Sequence, residues 1–403
     1  MNESPRLAGL PLGRSGAAFE LNKPANSSTR VRVGTWHVST SRGSALVVAR
    51  GRVGSYATAV SSAMPRAEQA LDKLSVRGID DLLLASAADE HLAWWPSVGG
   101  KTLRIVSTSF QTLPLMNLTA TVRDARGRIV RQAPPRPVPW HPSFRFFRLS
   151  QTTDDLFDAY RNAYLGLEAI LADRTPQRRK AAGQKGEQEG EWFRRALDAT
   201  GVNLASFVTS PPGEEADALY DAIYREARVR VFHSKPGRDA LLPRDRANLG
   251  MVAARLDLTR RLYLAIVEKT LGMGRLSGGF TAYAAQAMAT AVLDDLNFVA
   301  TSDETRFDIE ASAVSPPGAQ QCGLANVLPA EYDGFAARRH AWATAPDLVS
   351  LPFIRRIVGV GPDGQPYLQT RLEGRLEHSG FDRIEVEFRL VMRNARDLSS
   401  DLV

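Results

Sequence analysis

The stretch Tyr224-Arg-Glu-Ala-Arg-Val-Arg-Val-Phe-His-Ser-Lys-Pro-Gly237 holds the best candidates for chemistry in this chain. The imidazole of His233 titrates near ~6.5 when unperturbed, so it can take or give a proton at neutral pH. Arg228 supplies a permanent, forked charge suited to oxygens that gain negative charge during a reaction. A proton acceptor beside a cation is what phosphoryl chemistry without a metal requires. On an ideal helix five residues turn about 140° and rise ~7.5 Å, so the two side chains do not share a face. The pair therefore needs a helix that ends at His233, or a second copy of the motif. A structural arrangement fits the same residues. A histidine in the last turn can cap free carbonyls and gain from the helix dipole, while Arg228 pairs with Glu168 or another nearby acid.

Other chemistries find less support. The histidines stand at 37, 91, 141, 233, 340 and 378, and no two have the i, i+4 spacing of a helical metal site. Cys322 is the single cysteine, which excludes an intramolecular disulfide and a multi-thiolate zinc site. No metal or other cofactor is expected. Gly272-x-Gly274 and Gly278-Gly279 lack the following Lys-Ser/Thr of a phosphate-binding loop, and no Ser-His-Asp triad can be assembled from the sequence. Phe144-Arg-Phe-Phe-Arg148 interleaves aromatic rings with Arg145 and Arg148, a pattern able to stack bases and hold phosphates. It reads more simply as a strand entering the core. Arg178-Arg179-Lys180 is a second basic cluster, or an ordinary solvated loop.

These residues need a scaffold, and 403 residues with 44% hydrophobic and 24% charged content are ample for two or three domains. The net charge of +7 permits an anionic partner without demanding one. Only seven of the 51 basic residues are lysine, a bias that genome composition explains as well as phosphate recognition does. No run approaches the ~20 apolar residues of a membrane span. The first residues lack the apolar core of a secretory signal, so a soluble cytoplasmic protein without membrane contact is expected.

Residues 1–29 are rich in Ser, Asn, Gly and Pro and read as a flexible arm. Residues 30–150 read as a β-rich domain, with strands around 31–35, 45–49, 81–84 and 102–106 and a helix over 63–74 capped by Ser61 or Ser62. A hairpin is expected over 118–130, with prolines from 134 to 142 marking the boundary. From 151 to 300 the texture becomes helical. Leu156, Tyr160, Ala163, Leu167, Ile170 and Leu171 recur at three- and four-residue spacing behind a cap at Thr152 or Thr153. A loop (174–190) separates this helix from further ones over 191–200, 214–233, 244–271 and 281–296. Residues 301–403 return to β texture. Ile384, Val386, Phe388, Leu390 and Met392 alternate with Arg383, Glu385, Glu387 and Arg389, as in a half-buried strand.

Arg228 and His233, four residues apart at the end of a long helix, resemble the R-x4–6-H motif of HEPN domains. An earlier helix with Leu165-Gly-Leu-Glu-Ala-Ile-Leu171, a charged loop and a later amphipathic helix extend the likeness to about residues 150–300, in the abortive-infection type of that family. Val229 departs from the polar residue, commonly Asn, that often follows the arginine. The resemblance implies metal-independent RNA cleavage by Arg228 and His233 in a toxin or antiphage-defence protein. Glu168, Arg225 and Lys235 would line the site, and pairing of two copies would bring both motifs into one cleft. The alternative is a catalytically silent assembly or nucleic-acid-binding subunit of a larger defence complex. The expected fold is thus α+β, a central all-helical HEPN-like bundle between β-rich N-terminal and C-terminal parts. RNA, a second copy of the chain and other defence-system subunits are the expected partners.

Overall fold

The computed structural model describes residues 5–85, 90–113, 126, 140–153, 155–178, 186–232, 241–243, 246–273, 282–303, 320–334, 336–370 and 374–394. The chain divides into two compact units, one built from 1–113 with 280–394 and the other from 114–279 with 395–403.

The first unit opens with β1 (Arg6–Leu7), β2 (Leu10–Pro11), β3 (Ser15–Glu20), β4 (Thr29–Val33), β5 (Trp36–Thr40) and β6 (Leu46–Gly51). Helix α1 (Tyr56–Val76), β7 (His91–Ser97) and β8 (Gly100–Leu113) follow. After the second unit come α8 (Ala282–Leu293), β9 (Asn297–Thr301), β10 (Gln321–Gly323), β11 (Asn326–Val327), β12 (Glu331–Asp333) and β13 (Ala336–Thr344). The last strands are β14 (Arg356–Val360), β15 (Pro366–Gln369), β16 (Leu376–Glu377) and β17 (Arg383–Asn394). A ten-stranded sheet runs β11-β13-β17-β8-β7-β3-β6-β5-β4, with β12 also on β13; a four-stranded and a three-stranded sheet complete the unit.

The chain is α+β, but the expected plan of a central all-helical bundle flanked by β-rich parts is overturned. The large mixed sheet is the organising feature, and it draws strands from both ends of the chain. The join is the pairing of β17 with β8, parallel from Arg383 opposite Thr102 to Asn394 opposite Leu113. Alternation gives β17 one apolar face, and the strand pairs β8 on one edge and β13 on the other. Ile384, Val386, Phe388 and Leu390 enter one core with Leu92, Trp94, Leu103 and Ile105. Ala17, Phe19, Val47, Ala49, Ala93 and Trp95 form a second core on the other side of the sheet, closed by α1.

The expected arm is also corrected. Its residues build β1–β3, with Ala17, Ala18 and Phe19 fully buried; Gly9 and Gly13, at φ 78° and 63°, take the left-handed conformation that glycine adopts without strain. Helix α1 starts seven residues earlier than its apolar spacing indicates. Ser55, not Ser61 or Ser62, is the cap, exchanging bonds with Thr58 in a capping box. Around 81–84 there is only an isolated bridge, Leu21 with Leu84. The hairpin over 118–130 lies outside the described residues except for Arg126.

The second unit comprises α2 (Ser143–Thr152), α3 (Leu156–Arg174), α4 (Glu189–Asp198), α5 (Glu215–Leu219), a π-helical segment (Tyr220–Arg228), α6 (Val229–Phe232) and α7 (Arg246–Leu271). Phe144–Arg148 is therefore helix, not strand. The cap of α3 is Asp155, whose carboxylate accepts the Asp158 amide at 2.8 Å, rather than Thr152 or Thr153. The apolar stripe of α3 is buried throughout against α4, the π segment and α7. Helix α8, expected to belong with the helical stretch, packs into the sheet core through Ala285, Ala289 and Leu293. Among the described residues no helix is long and apolar enough to cross a membrane.

Candidate functional site

The expected long helix over 214–233 is interrupted where the chemistry was sought. From Tyr220 to Arg228 the backbone is π-helical, and the Val229 amide reaches back five residues to the Tyr224 carbonyl. A side chain from α3 occupies the widened turn. Tyr160, fully buried, donates its hydroxyl to the Ile223 carbonyl at 2.5 Å and accepts from the Arg228 amide. The two groups are five residues apart, so neither is the other's α-helical partner; the hydroxyl sits in the widened turn and satisfies both. Tyr160 thereby fixes the backbone of the candidate arginine.

The Arg228 side chain is 19% exposed and lies among aromatic rings, its guanidinium 4.9 Å from the Tyr224 centroid, 5.4 Å from Phe232 and 5.7 Å from Tyr164. Its fork meets Glu189, the first residue of α4, at 3.1 Å. The other Glu189 oxygen accepts the Tyr224 hydroxyl at 2.6 Å. Gly190 lets α4 approach this closely, since a Cβ there would stand 2.7 Å from the Tyr220 hydroxyl. Glu168 faces the same group from α3. Burial first, and then the negative charge of Glu189, push its carboxyl above the ordinary value, while Arg228 pulls the other way. Burial, aided by Glu168 and Glu189, also raises the Tyr164 phenol, whose hydroxyl has no hydrogen-bond partner among the described residues. The cluster combines one guanidinium, two carboxylates in unlike surroundings and two phenols. Such a set can hold an anion and shuttle a proton.

Of the residues singled out from the sequence, the structure brings Arg228 and Glu168 together. Glu189, which the sequence placed at the end of a loop, joins them: it pairs with Arg228 and repels Glu168. Arg225 does not join them; it pairs with Asp221 one turn away in a largely solvated bridge. His233 and Lys235 lie outside the described residues, as do Arg179 and Lys180. Just before His233 the Val231 carbonyl is capped by Arg161 at 3.2 Å. Arg178 is exposed, and its amide bonds Glu187, the acid that Arg195 holds down to about 2. Arg145 and Arg148 are exposed on α2, with Arg145 beside the Trp140 ring.

A row resembling a catalytic triad does occur. The His141 Nδ1 lies 2.7 Å from the Ser143 hydroxyl and its Nε2 3.8 Å from Asp173. Ser143 is fully buried, bonded to the Tyr263 hydroxyl as well, and sits at the first turn of α2. A nucleophile with no access to substrate is a helix-start hydrogen bond, so the row is not a hydrolase site. Among the described residues no group of three His, Cys, Asp or Glu side chains converges to hold a metal ion. No protein-family model, no curated protein and no solved structure matches the chain.

Proposed function

We propose that the chain is a metal-independent endoribonuclease of toxin or antiphage-defence type, acting in the cytoplasm, with Arg228 and His233 at its centre. The observation that carries this reading is the convergence of Arg228 with Glu168, a carboxyl whose hold on its proton is strengthened by burial and by Glu189, in a half-buried spot ahead of His233. The step itself is simple. The RNA 2′-hydroxyl gives its proton to His233, its oxygen bonds to phosphorus, and the 5′-oxygen leaves with a proton from an acid such as Glu168 or a second His233. Arg228 stabilises the phosphoryl oxygens once it exchanges Glu189 for the substrate. A two-fold pair of chains would place two histidines on one cleft.

The test is cleavage of single-stranded RNA in EDTA, with cyclic or 3′-phosphate ends expected and with Arg228→Ala and His233→Ala both inactive yet folded. A strict need for magnesium would sink the mechanism. The Glu189–Arg228 pair and Val229 favour a second reading, a silent assembly or nucleic-acid-binding subunit in which the pair is structural. Glu189→Gln separates the two. It frees Arg228 and raises cleavage if the site is catalytic; it lowers thermal stability and leaves RNA intact if it is not.

A further inference from the structure

The side of the large sheet carried by β8, β13 and β17 holds a second set of groups, distant in sequence from Arg228. Strand register orders them in rows. Thr344, Arg383 and Thr102 form one row, Trp342, Glu385 and Arg104 the next, then His340, Glu387 and Val106, and finally Arg338, Arg389 and Thr108. Helix α1 covers this side of the sheet over β3–β7, and only its first residue, Tyr56, reaches Arg104, whose guanidinium lies 4.5 Å from the ring.

The acids form the floor and the cations the surface. Glu385 and Glu387 have side chains 12% and 4% exposed, whereas Arg338, Arg383 and Arg389 are 57%, 43% and 33% exposed. Glu387 is held by Arg389 at 2.6 Å, His340 at 3.6 Å and Arg104 at 3.8 Å, and Glu385 by Arg104 at 2.7 Å and Arg383 at 2.9 Å. Glu331, which is exposed, pairs with Arg338, and the exposed Asp347 accepts from Thr344 at the other end. Arg338 stands directly opposite Arg389 in the register. Each is held by an acid at 2.6 Å, Glu331 and Glu387 respectively, and the two partly exposed guanidinium groups are cross-strand neighbours that one phosphate can meet together. At the other end the Arg383 guanidinium lies over the Trp342 ring, 4.5 Å from its centroid. A guanidinium stacked on an indole is a platform that a nucleobase can extend.

We propose that this sheet face binds single-stranded nucleic acid, with phosphates on Arg338, Arg389 and Arg383 and a base on the Trp342–Arg383 stack. The two ends of the stripe, Arg383 and Arg389, are six residues apart on β17, about 20 Å at ~3.4 Å per residue, long enough for several nucleotides. The assignment is independent of cleavage at Arg228, and the test keeps the two apart.

The experiment is fluorescence anisotropy of a labelled short oligouridine with the full-length His233→Ala chain, at about 50 and 200 mM salt. Arg338→Gln/Arg383→Gln leaves the partners of the buried Glu387 in place. It is expected to weaken binding by about tenfold or more and to flatten the salt dependence, as loss of phosphate contacts does. Trp342→Leu is expected to cost about 5- to 100-fold, the range for one stacked base. Arg14→Gln/Arg42→Gln, which removes two exposed charges elsewhere on the same unit, should change little. Circular dichroism melts confirm that each variant is folded. The proposal fails if wild-type affinity survives both face variants, if the control weakens binding equally, or if the protein takes up phosphatidylserine vesicles and not the oligonucleotide. Binding that persists in a chain with no ribonuclease activity upholds the face and refutes only the cleavage reading.

Discussion

Replacing Tyr160 with Phe removes the hydroxyl and keeps the ring, so it tests the bonds that this oxygen makes in the widened turn at Arg228. That hydroxyl satisfies the Ile223 carbonyl and the Arg228 amide at once, in a site with no solvent access. Each buried backbone group left unpaired costs about 1–3 kcal/mol. If the π segment persists, the loss for the two groups is on the order of 2–6 kcal/mol. If the helix instead tightens, the direct backbone bonds re-form and part of that loss is recovered, but every residue from Arg228 onward rotates relative to α4. Two measurements separate these outcomes. Hydrogen exchange followed on peptides spanning 220–232 should accelerate by about 30-fold for a 2 kcal/mol loss. A double-mutant cycle between Arg228→Ala and Glu189→Gln should show the coupling of the wild type and lose it in the Tyr160→Phe background. Unchanged exchange together with an intact cycle would refute the role given to Tyr160.

Two further outcomes follow from the same cluster. Glu168 has a raised carboxyl, so the folded state holds its proton more tightly than the unfolded state does; the penalty grows as pH rises from the unfolded value near 4.5 through the folded one and is full above it. Glu168→Gln should therefore raise the melting temperature at pH 7 and lose that advantage at pH 4, and an equal effect at both would remove the electrostatic explanation. Gly190→Ala places a methyl group against the Tyr220 ring. It should lower stability by about 1–3 kcal/mol through overpacking and weaken the Arg228–Glu189 coupling, whereas a neutral result in denaturant titration would show that α4 can draw back freely.

What the sequence made legible was local. The three- and four-residue spacing of α3 and the alternation of β17 each follow from one buried face, and both are read from neighbouring residues. The π segment was not legible, because the hydroxyl that occupies its widened turn belongs to Tyr160, more than sixty residues away along the chain; periodicity reports which face is buried and not what has entered the backbone ladder. Glu189 was hidden for a related reason. A polar, glycine-containing stretch looks like loop, and only the tight approach over Gly190 turns its end into the start of α4 facing Arg228. The union of the two β-rich parts rests on a pairing exemplified by Arg104 and Glu385, which lie 281 positions apart. Alternation predicts that such a strand needs neighbours and does not name them. The alternation also misjudged the far side of β17, where Glu385 and Glu387 are drawn under arginines rather than left in water.

The parallel seam between β8 and β17 also sets a timetable for synthesis. When β8 leaves the ribosome it can pair with β7, but its other edge stays empty until β17 is made. At roughly 5–20 residues per second, a separation of 281 positions corresponds to on the order of 15–60 s. During that interval a long apolar strand edge is open to pairing with any other extended chain. The helical stretch, whose contacts are mostly with itself, can finish folding in the meantime. The half-made sheet cannot, and the newborn chain is exposed to aggregation or chaperone capture until its last strand closes the seam.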